Sequence, residues 1–319
     1  MGPLNAHMPI RVVELPEYLY IEDHYPYGIS LSENGQFIAL CGKNNARNVI
    51  VSIDSENKDR STKVCVVEKN YIAPTEITIG NDGRIAWGEI NSENMGFIKT
   101  IEKGKEVVLW QGKTNLKDYP CVMRFTDKNK LLVIREGGIL MEFKGKNKSR
   151  SKRLGIRSAY DYQESGNRWM AIGPRGIAHG NGEDSQIIWK KGLTDGRVSI
   201  DATAAIAVTT DIPTIKIEEI RFGEVFPKTE PFGGPLPRSL WGCYRFRSIF
   251  QNENEKPFLI YPEGSGLEVL DVRKQKVVGC LECPDVKRYA ANRTLTRVVA
   301  VSDKFLYLWD GIGGRKEEP

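Results

Sequence analysis

A polar, Gly- or Asn-rich turn followed at once by an apolar strand recurs along the whole chain, and no other feature restricts its fold so strongly. The clearest copies are Ser32-Glu-Asn-Gly-Gln-Phe-Ile-Ala-Leu40, Gly80-Asn-Asp-Gly-Arg-Ile-Ala-Trp87, Thr126-Asp-Lys-Asn-Lys-Leu-Leu-Val-Ile134 and Glu164-Ser-Gly-Asn-Arg-Trp-Met-Ala-Ile172. Weaker copies follow at 201–208, 252–261 and 292–301. Taking Phe37, Ile85, Leu131, Trp169, Ile206, Phe258 and Val298 as markers, the spacings are 48, 46, 38, 37, 52 and 40 residues. Their mean of about 43 matches the ~40–45 residues of a four-stranded propeller blade. Few windows place apolar residues at i, i+3, i+4 and i+7, and glycine interrupts nearly all of them, so helical architectures are disfavoured.

The repeat therefore predicts an all-β chain, a seven-bladed β-propeller, with six and eight blades as the alternative counts. Seven units of that length would use nearly all of the 319 residues. A second strand ending in an aromatic or acidic residue is expected after each marker strand. Candidates are Ile50-Val-Ser-Ile-Asp54, Val107-Val-Leu-Trp110, Ile139-Leu-Met-Glu-Phe143, Ile187-Ile-Trp189, Leu267-Glu-Val-Leu-Asp271 and Tyr307-Leu-Trp309. Too little chain follows Trp309 to complete a blade. A spare N-terminal strand, Ile10-Arg-Val-Val13 or Tyr18-Leu-Tyr-Ile21, is expected to pair there, close the propeller and remove a sheet edge. Residues 1–8 read as an expression-tag remnant, 9–314 as a single propeller domain and 315–319 as a short polar tail.

Tyr307-Leu-Trp309-Asp310-Gly resembles the Trp-Asp strand ending of WD-repeat propellers, and the blade length is similar. The resemblance covers most of the chain in periodicity and one blade in the dipeptide. The Gly-His pair that opens WD repeats is missing, since the only histidines are His7, His24 and His179. What the resemblance implies is a scaffold, a rigid body whose loop faces and rim bind other protein subunits.

Composition narrows the setting. Hydrophobic content of 40% and charged content of 27% suit a folded globular chain. No run approaches the ~18 apolar residues of a membrane helix, and the first residues lack the apolar core of a secretory signal. The six cysteines, 41, 65, 121, 243, 280 and 283, are expected as reduced thiols in a cytoplasmic or nuclear protein. Cys280-Leu-Glu-Cys283 is a lone pair with no second pair or nearby histidine, which argues against zinc. No cofactor is expected.

Three stretches stand out as candidate sites. Residues 144–157 carry seven basic side chains and no acidic one, with Lys144, Lys146, Lys148, Arg150 and Lys152 at alternate positions and Arg153 and Arg157 beyond. In a strand the alternating five point to one face, where they could meet an acidic protein or the phosphates of nucleic acid. The competing reading is a solvated outer hairpin that protects a sheet edge. Residues 226–241 hold four prolines within the longest marker spacing. With Arg238, Trp241, Arg245 and Arg247 they form a candidate partner-binding loop of the residue types enriched at interfaces, against a reading in which the aromatics are core. Residues 173–185 contain glycines, His179, Asp184 and Ser185, and read as a flexible hairpin tip rather than a catalytic triad.

The function these observations suggest is a non-catalytic interaction scaffold within a larger complex, using the basic hairpin for an acidic or nucleic-acid-associated partner. The alternative is a hydrolase- or lactonase-like propeller enzyme with an axial metal, for which Asp201 and Asp211 are the acidic candidates.

Overall fold

The computed structural model describes residues 6–21, 28–44, 47–57, 63–66, 71–102, 104–113, 120–126, 128–182, 184–188, 193–211, 214–221, 234–235, 249–251, 257–272, 274 and 276–312. Every regular element among them is a strand, and the strands form seven sheets: five are meanders of neighbours in sequence, and two are such meanders with a strand added from the N-terminal region. This is the architecture of a seven-bladed β-propeller. The blades fall into two compact units.

The larger unit comprises residues 9–152 and 283–319 and holds four blades. Blade 1 is Ile29–Leu31, Phe37–Asn44, Arg47–Asp54 and Lys63–Val66. Blade 2 is Tyr71–Ile79, Ile85–Asn91, Met95–Glu102 and Lys105–Lys113. Blade 3 is Pro120–Phe125, Leu131–Arg135, Ile139–Lys144 and Asn147–Arg153. Blade 7 takes Arg288–Ala291, Arg297–Val301 and Phe305–Asp310 from the C-terminal region and a fourth strand, Arg11–Glu14, from the N-terminal one. Arg11 lies opposite Leu308 and Glu14 opposite Phe305, in antiparallel register. Of the two N-terminal candidates, then, the earlier one pairs with the last blade. Tyr20 instead bridges to Lys43 of blade 1, while Leu19 and Ile21 are buried.

The smaller unit comprises residues 1–8 and 153–282 and holds three blades. Blade 4 is Asp161–Ser165, Arg168–Gly173, Gly176–Asn181 and Asp184–Ile188. Blade 5 is Leu193–Val198, Ala204–Asp211, Thr214–Arg221 and Gly234–Pro235. Blade 6 is Ile249–Gln251, Pro257–Glu263, Gly266–Asp271 and Lys276–Glu282, with Ala6–His7 added in parallel as a fifth strand.

All seven markers of the repeat lie in the second strand of a blade, and the turn before that strand explains why the repeat is legible. In five blades a capping residue (Ser32, Gly80, Thr126, Ser199, Asn292) precedes by three positions a residue at positive φ: Gly35, Gly83, Asn129, Ala202 and Leu295. The backbone N–H of each of those five donates to the carbonyl of its cap at 2.8–3.0 Å. Ser32 Oγ then accepts from Phe37 N and Ser199 Oγ from Ala204 N, both at 2.9 Å. Short polar side chains that bond to nearby backbone stabilise such turns, and glycine or asparagine tolerates the left-handed residue.

These turns also join blades within the larger unit. Asn292 Nδ2 donates to Glu33 O at 3.0 Å, Asn34 N to Asn81 Oδ1 at 2.9 Å, and Arg84 Nη2 to Asn129 O at 3.0 Å. Between the sheets, Ile38, Leu40, Val49 and Val51 of blade 1 pack with Val299, Val301, Leu306 and Leu308 of blade 7. Each such fully buried Leu or Ile contributes about 1.5–3 kcal/mol.

Two expectations need correction. The Trp110 and Ile187-Ile188 segments are not equivalent to that of Trp309: Trp110 lies in the outer strand of blade 2, under the Arg135 guanidinium at 4.5 Å, and Ile187 and Ile188 lie in the outer strand of blade 4, whereas Trp309 is in the third strand of blade 7; Trp189 lies outside the described residues. Blade 2's third strand, Met95–Glu102, carries no tryptophan, so the match was one of composition and not of register. Nor are residues 173–185 a flexible tip. Gly176–Asn181 is the third strand of blade 4, with Ile177, Ala178 and His179 buried. Gly180 serves close packing, since a Cβ there would fall 1.9 Å from Asp184 O.

Candidate functional site: the outer strand of blade 3

The basic stretch begins where Ile139–Lys144 ends. Phe143 and Met141 are buried against Met123, Phe125 and Val133, which anchors the third strand in the blade. Gly145 then takes φ 57° at the first central position of a two-residue turn, where a side chain would be strained. The chain returns as Asn147–Arg153, the outermost strand of its sheet. Leu154 and Ile156, both buried, fasten the chain again immediately beyond.

Along this strand Asn147, Lys148, Ser149, Ser151 and Arg153 are exposed, while Arg150 and Lys152 are half-buried. Lys144 and Lys146, before and in the turn, are exposed as well. The strand geometry places Lys148, Arg150 and Lys152 on one face and Arg153 on the other.

Glu142 fixes the middle of the row. Its carboxylate is buried in the blade and receives Ser149 Oγ–H at 2.6 Å and Lys130 Nζ at 3.0 Å, with Arg150 Nη2 at 4.0 Å. Burial pushes this carboxyl up. The hydrogen bonds from Ser149 and Lys130 and the charges of Lys130 and Arg150 outweigh burial and hold it below the usual carboxylate range. Arg150 is thus partly committed to an internal acid, a role its place in the alternation does not reveal.

The other candidates are placed differently. Arg238, Trp241, Arg245 and Arg247 lie outside the described residues; from their loop only Gly234–Pro235 is described, paired with Thr214 and Ile215. Asp201 caps the turn before the second strand of blade 5. It accepts from Ser199 Oγ at 2.6 Å and from Thr203 Oγ1 at 2.7–2.8 Å, and these bonds, working against its burial, lower its pKa. Asp211 is at the far end of the eight-residue strand Ala204–Asp211, roughly 20 Å away at 3.3 Å per residue. The strand thus lies between the two positions. Among the described residues no group of three or more His, Cys, Asp or Glu side chains could hold a metal.

Two charged clusters escaped sequence reasoning. In blade 2, Lys99 Nζ lies 2.9 Å from Glu89 Oε2 and 2.8 Å from Glu106 Oε1, and Trp87 Nε1 donates to Glu89. Glu89 and Lys99 are almost wholly buried, so the signal available in the sequence was charge inside strands of otherwise apolar pattern. In blade 7, Arg297 grips Asp310 through Nε at 2.6 Å and Nη2 at 2.9 Å, and its Nη1 donates to Gly35 O at 2.9 Å and Ser55 Oγ at 3.0 Å in blade 1. The Asp of the Trp309-Asp310 ending thus orients the arginine that binds the last blade to the first.

A chain of seven such blades, six of four strands and one of five, is a β-propeller, and comparison with solved structures agrees. The fold is similar to Kuenenia stuttgartiensis hydrazine synthase, at 12% identity and a TM-score of 0.59 over 92% of this chain and 98% of that one. It is also similar to a chain of the mitotic checkpoint complex, at 9% identity and a TM-score of 0.60 over 97% of this chain and 93% of that one. At such identities the likeness concerns fold alone. No known family matches the sequence, and no curated protein matches it.

Proposed function

We propose that this propeller is a non-catalytic, WD-like interaction scaffold that serves as a subunit of a larger assembly. It engages an acidic or nucleic-acid-associated partner through the outer strand of blade 3. The observation that carries this reading is the density of cations on that strand, set on a sheet edge that Glu142, Ser149 and Lys130 hold in place. A likeness to a chain from a multi-protein complex supports protein partners. Arg238, Trp241, Arg245 and Arg247 would add a second contact region of interface-type residues.

The test is a pull-down from the native source with the wild type and a K146E/K148E/K152E variant, with and without nuclease. Arg150 is left intact because a carboxylate there would face Glu142. A partner that the wild type retains and the variant loses, and that salt elutes, supports the reading. If the variant recovers the same proteins in the same amounts, the row is a solubilising edge and the reading is wrong.

A further inference from the structure

We infer that the Asn147–Arg153 edge is a strand-addition site for an extended acidic peptide segment, which would add to blade 3 as a fifth strand. The inference rests on the reading above and names the partner's chemistry.

Four observations lead to it. Asn147–Arg153 is seven residues long and, among the described residues, has a neighbouring strand only on its Ile139–Lys144 side. Its other side is a ladder of N–H and C=O groups of the kind that pairs with a second chain. The outer edge of a complete blade accepts such an addition elsewhere: Ala6–His7, within the stretch read as a tag remnant, pairs in parallel with Cys280 and Leu281 on the outer strand of blade 6.

The charge row is also specific to this edge. If cations served only to keep edges from aggregating, the other long outer strands would need them too. Lys105–Lys113 of blade 2 has Glu106 within it, and Asp184–Ile188 of blade 4 has an acid and no cation. Blade 3 alone, among the described outer strands, presents a run of cations with no acid. Alternate side chains of a strand are ~6.6 Å apart, so a partner strand with carboxylates at every second position would meet Lys148, Arg150 and Lys152 in register, with Lys146 at the turn beside its end.

Finally, the edge is set in advance. Ser149 and Arg150 are tied to Glu142 and Leu154 is buried, so little of the strand has to become ordered on binding. Nucleic acid fits less well, because residues 144–157 contain no aromatic side chain on which a base could stack.

The experiment is fluorescence anisotropy of the whole protein with three labelled probes: a peptide of about nine residues alternating glutamate and threonine, the same peptide N-methylated at successive residues to block both backbone edges, and an oligothymidylate. The expected result is saturable binding of the first, at least tenfold weaker binding of the N-methylated peptide, and loss of binding in K146E/K148E/K152E with an unchanged circular dichroism spectrum and melting temperature. Equal binding of the two peptides would overturn strand addition while leaving an acidic partner. Tighter binding of the oligothymidylate would overturn the peptide assignment in favour of nucleic acid. Binding of none of the three would overturn both the inference and the reading it rests on.

Discussion

Replacing Lys99 by methionine removes the one ammonium that two carboxylates of blade 2 share. In the native blade Lys99 Nζ is 2.9 Å from Glu89 and 2.8 Å from Glu106; Glu89 is fully buried, while Glu106 is partly exposed. Once the ammonium is gone, Glu106 can turn to water. Among the described residues Glu89 then retains only Trp87 Nε1, and it must be buried charged or take up a proton. Removing one partner of a buried pair costs about 3–5 kcal/mol, because the remaining charge is desolvated without compensation. At roughly 2 °C per kcal/mol for a large domain, the melting temperature should fall by about 6–10 °C. The double variant K99M/E89Q carries no uncompensated charge and should recover much of the loss. The neighbouring carboxylates raise the Lys99 pKa above its ordinary value despite burial. Its contribution is therefore complete below the unfolded-state pKa near 10.4 and is lost as pH rises through the higher folded value. The assay is urea unfolding of wild type, K99M and K99M/E89Q at neutral pH and again above pH 10. A K99M loss below 1 kcal/mol, or a double variant less stable than K99M, would refute the reasoning.

Three further outcomes are expected. Deleting residues 9–22 removes the Arg11–Glu14 strand, exposes the Phe305–Asp310 edge and should cause aggregation or a large loss of thermal stability; a truncated protein that elutes as a monomer and melts with the wild type would show that the pairing fastens nothing. Because Glu142 titrates below its ordinary value, it stabilises the fold above its unfolded pKa near 4.3, and that contribution disappears as pH falls through the lower folded value. E142Q should therefore flatten the stability–pH curve below about pH 5, and an identical curve would count against the ion network. The thiols should be reduced and passive: Cys41, Cys121 and Cys283 are buried, and burial, aided by the charge of Asp285, pushes the Cys283 thiol up to about 12. Mass spectrometry of native protein prepared without reductant should find no intramolecular disulfide, and a Cys280–Cys283 bridge in most molecules would contradict this.

Much of the fold was legible because its information is local. In five blades the turn before the second strand is made by residues a few positions apart: a Ser, Thr, Asn or Gly cap, then a Gly, Asn or other residue at positive φ, then apolar residues. That chemistry is written in consecutive letters, so the repeat located all seven second strands and the blade count followed. The alternation from Lys148 to Lys152 fell within one strand, since period-2 geometry needs no tertiary partner, but the expected single row of five did not: Lys144 ends the preceding strand and Lys146 lies in the turn between the two.

Other features depend on residues brought together from distant parts of the chain. A tryptophan reads the same in a third strand or an outer one, so Trp110 and Trp309 could be told apart only once strand pairing set their positions. The choice between two N-terminal segments turned on which could lie beside Phe305–Asp310, nearly three hundred residues away. Arg150 reads as one more surface cation until Glu142 is found behind it, and Glu89 and Lys99 become a buried pair only when two strands of blade 2 come side by side. The sequence by itself determined the turns, the strand period and hence the blades, because these rest on interactions between near neighbours. Tertiary structure decided which charges are buried, which are tied to one another and which face solvent, because desolvation and Coulomb energy depend on distance in space and not on separation along the chain.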